Sequence, residues 1–500
     1  MSLAAPADDQ PDELSAEDAR ARPLCVDLDG SLIRSDTLWE AVVQLVRRQP
    51  WVMLLLPLWL LGGRAKFKRR VAERIVVDPA TLPYRTELLD ALRTAAAGGR
   101  KVVLTTAADA HVAERVAAHL GLFSDIVASD GTTNVKAEAK RDRLVERYGE
   151  RGFDYVGDTH ADLPVLAAAE RGYLVGTTKD VARKATAALG ERVRVLSYRS
   201  SRLRALVKVM RPHQWAKNAL VVLPLVLAPG SLSFHGHRSF HHVFVAALAA
   251  LTFSLCASAG YVFNDLIDVE ADRAHKTKHR RPFASGALPV IFGPPVFLGL
   301  FLGSFALAAL FLPLGFLGML AVYFAATLAY SFYLKSKLML DVVVLAWLYT
   351  HRVLAGGIAT GIPISAWLLG FSVFFFLSLA FAKRYIELRA SASKGGQLKS
   401  RGYHTQDLEM VASMGPAAGY TAVLVFALYV EGSAKTVGYQ TPGFLWVICP
   451  VMLYWVSRVW FLAHRGQMQD DPVKFALTDK NSWVCGLIIA AAAAAARLLS

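Results

Sequence analysis

The sequence predicts a two-domain chain. An N-terminal α/β domain with a doubly wound parallel sheet and a helical cap precedes an all-α membrane domain of nine transmembrane helices. Three observations predict this. Short apolar runs alternate with helical stretches over residues 22–190, with charges throughout. From residue 206 onward one long apolar run follows another. The net charge of +15 sits largely at the ends of those runs, where it sets topology and is no nucleic-acid signature.

Residues 1–21 are polar and acidic. They have no basic stretch followed by an apolar one, so they read as a disordered leader and not a signal peptide. Cys25, Cys256, Cys449 and Cys485 form no CxxC pair, and three lie inside apolar runs. Structural zinc and a disulfide framework are therefore not expected.

The α/β domain begins at "PLCVDLDGSL". An apolar strand ends in Asp27 and Asp29, and carboxylates at i and i+2 point the same way from a strand. One can attack a phosphorus while the other gives and takes a proton. Further strands are expected at "KVVLTT", "DIVASD", "FDYVGD" and "GYLVGT". Ligands of such sheets bind at the carboxyl ends of strands, where the candidates fall. The pattern resembles the haloacid dehalogenase superfamily, with all four of its motifs in order. The resemblance implies Asp27 as nucleophile and Asp29 as acid/base. It implies Thr106 as the strand-end hydroxyl, with Thr105 the alternative, and Lys140 in "AKRDRL" as the lysine, with Lys136 the competitor. "GDTHAD" supplies Asp158 and Asp162, which with Asp27 and Asp29 would hold magnesium. An Asp at the second motif position favours a phosphatase; the alternative is a fold kept as a regulatory module.

Residues 35–95 form an insertion where that superfamily places a cap. Trp51 to Leu61 is wholly apolar and too short to span a bilayer. Arg64, Lys66, Lys68, Arg69 and Arg70 follow, so the stretch reads as a membrane-surface anchor; the alternative is an ordinary cap core. Residues 191–211, basic and partly amphipathic, read as a linker along the membrane surface.

The nine spans are expected at 212–230, 242–265, 289–312, 314–334, 339–360, 363–383, 410–431, 442–463 and 482–499. Loops after the even-numbered spans carry the Lys and Arg residues, including the run Arg273 to Arg281. The opposite loops carry little beyond Arg238 and Lys435. This places the α/β domain in the cytoplasm and the C-terminus outside.

The second span runs into "NDLIDVEAD". Asn264, Asp268 and Asp272 are spaced i, i+4, i+8 and line one side of a helix. Such a ladder calls for a cation, and oxygen ligands suit magnesium that also holds substrate phosphates. Lys276, Lys278, Arg280 and Arg281 can grip phosphate oxygens directly. The motif resembles the NDxxDxxxD signature of the UbiA superfamily of intramembrane prenyltransferases. That resemblance implies nine helices around a cavity where magnesium holds a diphosphate. The sequence departs from the second acidic motif, DxxxD: Asp341 is present but Leu345 replaces the second carboxylate.

Three stretches are similar to the decaprenyl-phosphate phosphoribosyltransferases of this superfamily: "RPHQWAKN", "YSFYLK" with Asp341 and "HRVLAGG", and "KRYIEL". The resemblance implies substrate contacts at Arg211, Gln214, Lys217, Asn218, Asp265, Lys276, Arg281, Tyr330, Lys335, Asp341, Arg352, Lys383, Arg384 and Glu387. It implies phosphoribosyl pyrophosphate as donor, a polyprenyl phosphate as acceptor and a bacterial inner membrane as the location. The α/β domain would then remove the 5-phosphate of the lipid product, on the way to arabinofuranose-type envelope sugars. Rival readings are a prenyltransferase using a prenyl diphosphate and a non-enzymatic lipid-binding protein. The sequence carries no signal of oligomeric state.

Overall fold

The computed structural model describes residues 21–63, 67, 70–71, 73–75, 77–129, 137–197, 201–227, 237–392, 402–432, 434, 439–468 and 472–498. Residues 1–20 of the expected leader, Arg64, Lys66, Lys68, Arg69, Lys136 and Lys435 lie outside the described residues, as does the side chain of Arg238. The chain forms two compact units. One comprises Met1–Met210 and Tyr261–Phe297, the other Arg211–Gly260 and Leu298–Ser500. The carboxylate ladder and the loop after it thus cluster with the α/β elements.

In the first unit six parallel strands form one sheet in the order β3-β2-β1-β4-β5-β6. They are β1 (Leu24–Asp27), β2 (Val102–Asp109), β3 (Asp125–Ser129), β4 (Asp154–Gly157), β5 (Gly172–Leu174) and β6 (Val193–Val195). Alternate residues of a strand feed opposite faces. Leu24, Val26, Leu104 and Val156 pack on one side with the cap residues Leu45, Val52 and Trp59. Cys25, Val103 and Tyr155 pack on the other with Leu144, Leu166 and Val181. The chain winds one way from β1 to β2 and β3, and the other way through β4, so the topological switch lies between β1 and β4. The strand β6 is a correction to the expected 191–211 linker: Val193 to Val195 pair with β5 and extend the sheet. The three-residue V-R-V alternation of an edge strand was too short to read as one.

The cap opens with the helix Thr37–Arg48, whose N-cap Asp36 accepts from the Leu38 and Trp39 N–H groups. A 3-10 turn Pro50–Leu54 and the short helix Leu56–Leu61 follow. Beyond the sheet, Arg202–Met210 forms a helix.

Seven helices among the described residues are long and apolar enough to cross a membrane: Phe240–Ile267, Val290–Phe311, Leu314–Phe332, Leu340–Thr360, Ala366–Ala392, Thr405–Gly432 and Pro442–Arg465. Each matches one of the nine expected. The segment expected at 212–230 differs: it is a 3-10 stretch Pro212–Val221 and a short helix Leu223–Leu227. Pro212 and Pro224 remove backbone donors there. The segment expected at 482–499 is the helix Lys480–Leu498. Close helix contacts use small residues. A Cβ on Gly415 would meet the Trp460 ring at 1.9 Å, and the Trp460 indole donates to Ser378 Oγ at 3.1 Å.

Candidate functional site

The carboxyl ends of β1, β2 and β4 bring the hydrolase motifs together. Asp27 ends β1 and lies level with Thr105 in the β1–β2 register. Lys140, from the helix Glu138–Tyr148, places Nζ 2.6 Å from Asp27 Oδ1 and 3.7 Å from Asp162 Oδ1. It also donates to the Tyr155 hydroxyl at 3.0 Å, and that hydroxyl donates to Asp162 Oδ1 at 2.8 Å. Asp162 Oδ2 accepts from the N–H groups of Asp158 and Thr159 and from the Thr159 hydroxyl. Ser31 Oγ lies 3.4 Å from both Asp27 Oδ2 and Asp158 Oδ1.

Asp27, Asp158 and Asp162 are all buried, with one carboxylate oxygen of each within 4.8 Å of the others. A dense oxygen set of this kind fits magnesium. Burial pushes the Asp27 carboxyl up to about 6, against the downward pull of Lys140. Burial pulls the Lys140 ammonium down, but Asp27 and Asp162 outweigh it and leave it above its ordinary value. Clustered carboxylates so desolvated call for positive charge.

Asp29 faces a different partner. Its Oδ1 accepts the Thr37 N–H at 2.8 Å and its Oδ2 lies 3.3 Å from the Thr37 hydroxyl, at the start of the first cap helix. The Asp27–Asp158–Asp162 cluster does not include it. Burial and the nearby Asp36 raise its carboxyl well above the usual carboxylate range, which suits a proton donor. Thr106 Oγ1 accepts from the Ala108 N–H at 2.9 Å. Gly30 has φ +86°, and a Cβ there would stand 2.5 Å from Asp158 Oδ2, so only glycine fits. Arg85 clamps the same turn through the Gly30 and Ser31 carbonyls at 3.0 and 2.9 Å.

The ladder also lies in the first unit. The long helix stops at Ile267 and a short one, Val269–Arg273, resumes after Asp268. Two i→i+4 bonds, Asp268 N–H to Asn264 and Asp272 N–H to Asp268, carry the register through the break. Asn264 and Asp268 are half-buried, and Asp265 and Asp272 are buried. Arg281 bridges the buried pair, 3.1 Å from Asp265 Oδ1 and 2.6 Å from Asp272 Oδ2. Burial still holds the Asp272 carboxyl above its ordinary value. Lys276 is exposed on the following loop.

The second unit holds two buried guanidinium sites. Arg352 donates to Asn218 Oδ1 at 2.9 Å and to the Tyr323 hydroxyl at 3.1 Å, and Asn218 donates to Ser254 at 2.9 Å. The rings of Phe253, Tyr323 and Tyr349 lie 5.0–5.4 Å from its guanidinium carbon. Arg384 pairs with Asp341 at 2.6 Å and also with Glu387. Lys217 stands over the Tyr349 ring at 5.9 Å. Arg211, Gln214, Tyr330, Lys335 and Lys383 are half-buried.

Residues 221–485 match the UbiA prenyltransferase family. The chain belongs to the UbiA prenyltransferase family. Residues 24–167 match the haloacid dehalogenase-like hydrolases, so the UbiA domain is fused to an N-terminal HAD-like domain. The same organisation extends along the uncharacterized protein y4nM of Sinorhizobium fredii, 39% identical over 95% of this chain and 90% of that one. The nodulation protein NoeC of Azorhizobium caulinodans is 37% identical over 56% of this chain and 89% of its own. The decaprenyl-phosphate phosphoribosyltransferase of Mycolicibacterium smegmatis is 35% identical over 55% of this chain and 86% of its own.

Several residues of this UbiA–HAD fusion were beyond sequence reading. Tyr155 sits mid-strand, two residues before the GDTHAD motif and not part of it, and Tyr403 enters through a distant loop to reach Asp341 at 2.9 Å. Glu40 left one trace, an acidic residue on the apolar side of a cap helix; it is fully buried and pairs with Arg273 at 2.7 Å.

Proposed function

We propose that the UbiA domain transfers 5-phosphoribose from phosphoribosyl pyrophosphate to a polyprenyl phosphate, and that the HAD-like domain removes the 5-phosphate of the lipid product. The observation that carries the choice of donor is Asp341. In the family pattern it belongs to a second acidic motif, yet here it is buried and engaged by Arg384 and Tyr403. With Leu345 in place of its partner, this carboxylate is poorly suited to hold a prenyl diphosphate through metal. The resemblance to the decaprenyl-phosphate phosphoribosyltransferase supports the same reading.

The ladder oxygens of Asn264, Asp268 and Asp272 would hold magnesium, as would Asp27, Asp158 and Asp162, with Asp29 beside them. Bound there, the ion supplies charge neutralisation to pyrophosphate and phosphate oxygens. The remaining work falls to the chain. Arg281 and Lys276 grip donor phosphates, and the motif cations Arg211, Lys217, Lys335 and Lys383 hold the lipid phosphate. A phosphate acceptor is ionised at neutral pH, so no strong base is required. In the HAD-like domain Asp27 attacks phosphorus with Lys140 holding its carboxylate. Asp29 protonates the leaving ribose oxygen and then activates water. The chain would lie in the inner membrane with the HAD-like domain cytoplasmic. The full count of nine spans would include the segments at 212–230 and 482–499.

The test supplies purified protein with phosphoribosyl pyrophosphate and a short polyprenyl phosphate. Wild type yields ribosylated lipid and inorganic phosphate, Asp27→Asn accumulates the 5-phosphorylated lipid, and Asp268→Ala yields neither. Equal phosphate release by wild type and Asp27→Asn defeats the coupled reading. Incorporation of a labelled prenyl diphosphate, with no ribosylated lipid, defeats the choice of donor.

A further inference from the structure

The cap leaves an apolar surface uncovered. Val52 and Trp59 are buried at 0% and 7%, while Trp51, Leu54, Leu58 and Leu61 are 58%, 76%, 61% and 85% exposed. The stretch is therefore two-faced, and a small soluble cap has no reason to turn its second face to water. A second such surface lies on the helix Arg202–Met210. Ala205 and Val209 are buried, while Leu203 and Val207, one turn apart, are 72% and 50% exposed beside Arg204 and Lys208.

Both surfaces are fastened to one loop, residues 268–289, which joins the spans Phe240–Ile267 and Val290–Phe311. All the fastenings lie within the first unit. The cap helix Thr37–Arg48 is held by Glu40, buried against Arg273 at 2.7 Å, and by Arg47, 3.4 Å from Glu270. Arg273 also donates to the Thr81 and Ala284 carbonyls. The helix Arg202–Met210 is held to the loop by Lys208, which donates to the Arg280 carbonyl at 3.0 Å, and to the start of the next span by Arg202, 4.8 Å from the Phe292 ring. A loop between two adjacent spans lies at the membrane surface, and elements tied to it at hydrogen-bond distance lie there too. The sequence after Leu61 carries five basic residues, the charge that anionic headgroups attract.

We propose that these two apolar surfaces seat the α/β unit in the headgroup layer of the bilayer, Trp51, Leu54, Leu58 and Leu61 forming one foot and Leu203 and Val207 the other. The seat has a consequence for the hydrolase site. Asp29 holds the first residue of the cap helix, Thr37, and Glu40 lies three residues further on, about 4.5 Å of helix rise. The phosphate site is thus placed beside the interface, where the phosphomonoester of a membrane-anchored lipid arrives. That consequence rests on the phosphatase reading; the seat itself does not.

The test uses full-length protein in nanodiscs containing anionic lipid. Leu54→Cys, Leu58→Cys and Leu203→Cys each carry an environment-sensitive fluorophore, with Arg183→Cys, at a side chain 79% exposed, as control. The four native cysteines are buried, so unsubstituted protein gives the labelling blank. The expected result is blue-shifted emission at the three positions, several-fold weaker quenching by aqueous iodide than at the control, and quenching by headgroup-level nitroxide lipids. Iodide quenching equal to the control overturns the proposal. So does shielding from iodide without nitroxide quenching, which would mean that protein covers the surface. A second arm measures Asp27-dependent phosphate release from a lipid phosphomonoester and from p-nitrophenyl phosphate. Leu54→Asp with Leu58→Asp lowers turnover of the lipid about tenfold and leaves the soluble ester unchanged; equal losses on both overturn the interfacial delivery. Absence of Asp27-dependent release on either substrate removes the phosphatase reading alone, and the fluorescence still decides the seat.

Discussion

Asp341 and Arg384 are fully buried and lie 2.6 Å apart, and the Tyr403 hydroxyl donates to the same carboxylate at 2.9 Å. Removing one partner of a buried pair leaves an uncompensated charge, typically at a cost of about 3–5 kcal/mol. Arg384→Met is therefore expected to lower the melting temperature of the purified protein markedly. Asp341→Asn is expected to be milder, since an amide still accepts from Tyr403. If Asp341 is structural, Asp341→Asn leaves the magnesium concentration for half-maximal transferase activity unchanged. A several-fold rise would return Asp341 to the metal site.

Gly30 and Asp158 make a second test. With φ +86° and a built Cβ 2.5 Å from Asp158 Oδ2, Gly30→Ala must shift the carboxylate cluster. Misplacement of a catalytic group by about 1 Å can cost about a hundredfold in rate. Phosphate release is expected to fall by that order while lipid ribosylation persists. Parallel loss of both activities would show that the substitution unfolds more than the turn.

The Glu40–Arg273 pair should behave as a coupled unit. Glu40 is fully buried, and the Arg273 side chain is 11% exposed. Arg273→Met strands a buried carboxylate, whereas Arg273→Met with Glu40→Met removes both charges. The double variant is expected to melt above the Arg273→Met single variant. Additive losses across the cycle would show that the two residues do not interact in solution.

What the sequence made legible follows from how local each signal is. Asp27, Asp158, Asp162 and Lys140 sit at strand ends or on a helix within short motifs, and the sheet brings them together as their order implies. The ladder was legible because i, i+4, i+8 is a local spacing, and backbone bonds preserve it through the break at Asp268. Long-range partners were not legible. Tyr403 reaches Asp341 across 62 positions and Arg273 reaches Glu40 across 233, and no periodicity encodes either. Hydropathy alone predicts a span at 212–230 and ignores the donors that Pro212 and Pro224 lack.

Arg281 now stands where charge compensation of the ladder is needed, on Asp265 and Asp272. Both carboxylates are buried, so with Arg281 removed and no cation added they repel across a poorly solvated gap. Arg281→Met should therefore be destabilised in chelator and recover with magnesium, because a ligand that binds only the folded state raises its stability. The measurement is thermal unfolding against magnesium concentration, made in an Asp158→Ala background to weaken the hydrolase cluster's contribution. The melting shift should be larger for Arg281→Met than for its parent, and smaller when Asp272→Asn is added. Transferase KM for the donor should still rise in Arg281→Met, since a phosphate-gripping cation is gone while the metal site remains. A magnesium shift unaltered by Arg281→Met would show that the guanidinium and the metal occupy independent places. In that case Arg281 would be a fixed structural counter-ion and the ladder's metal would sit on Asn264 and Asp268 alone.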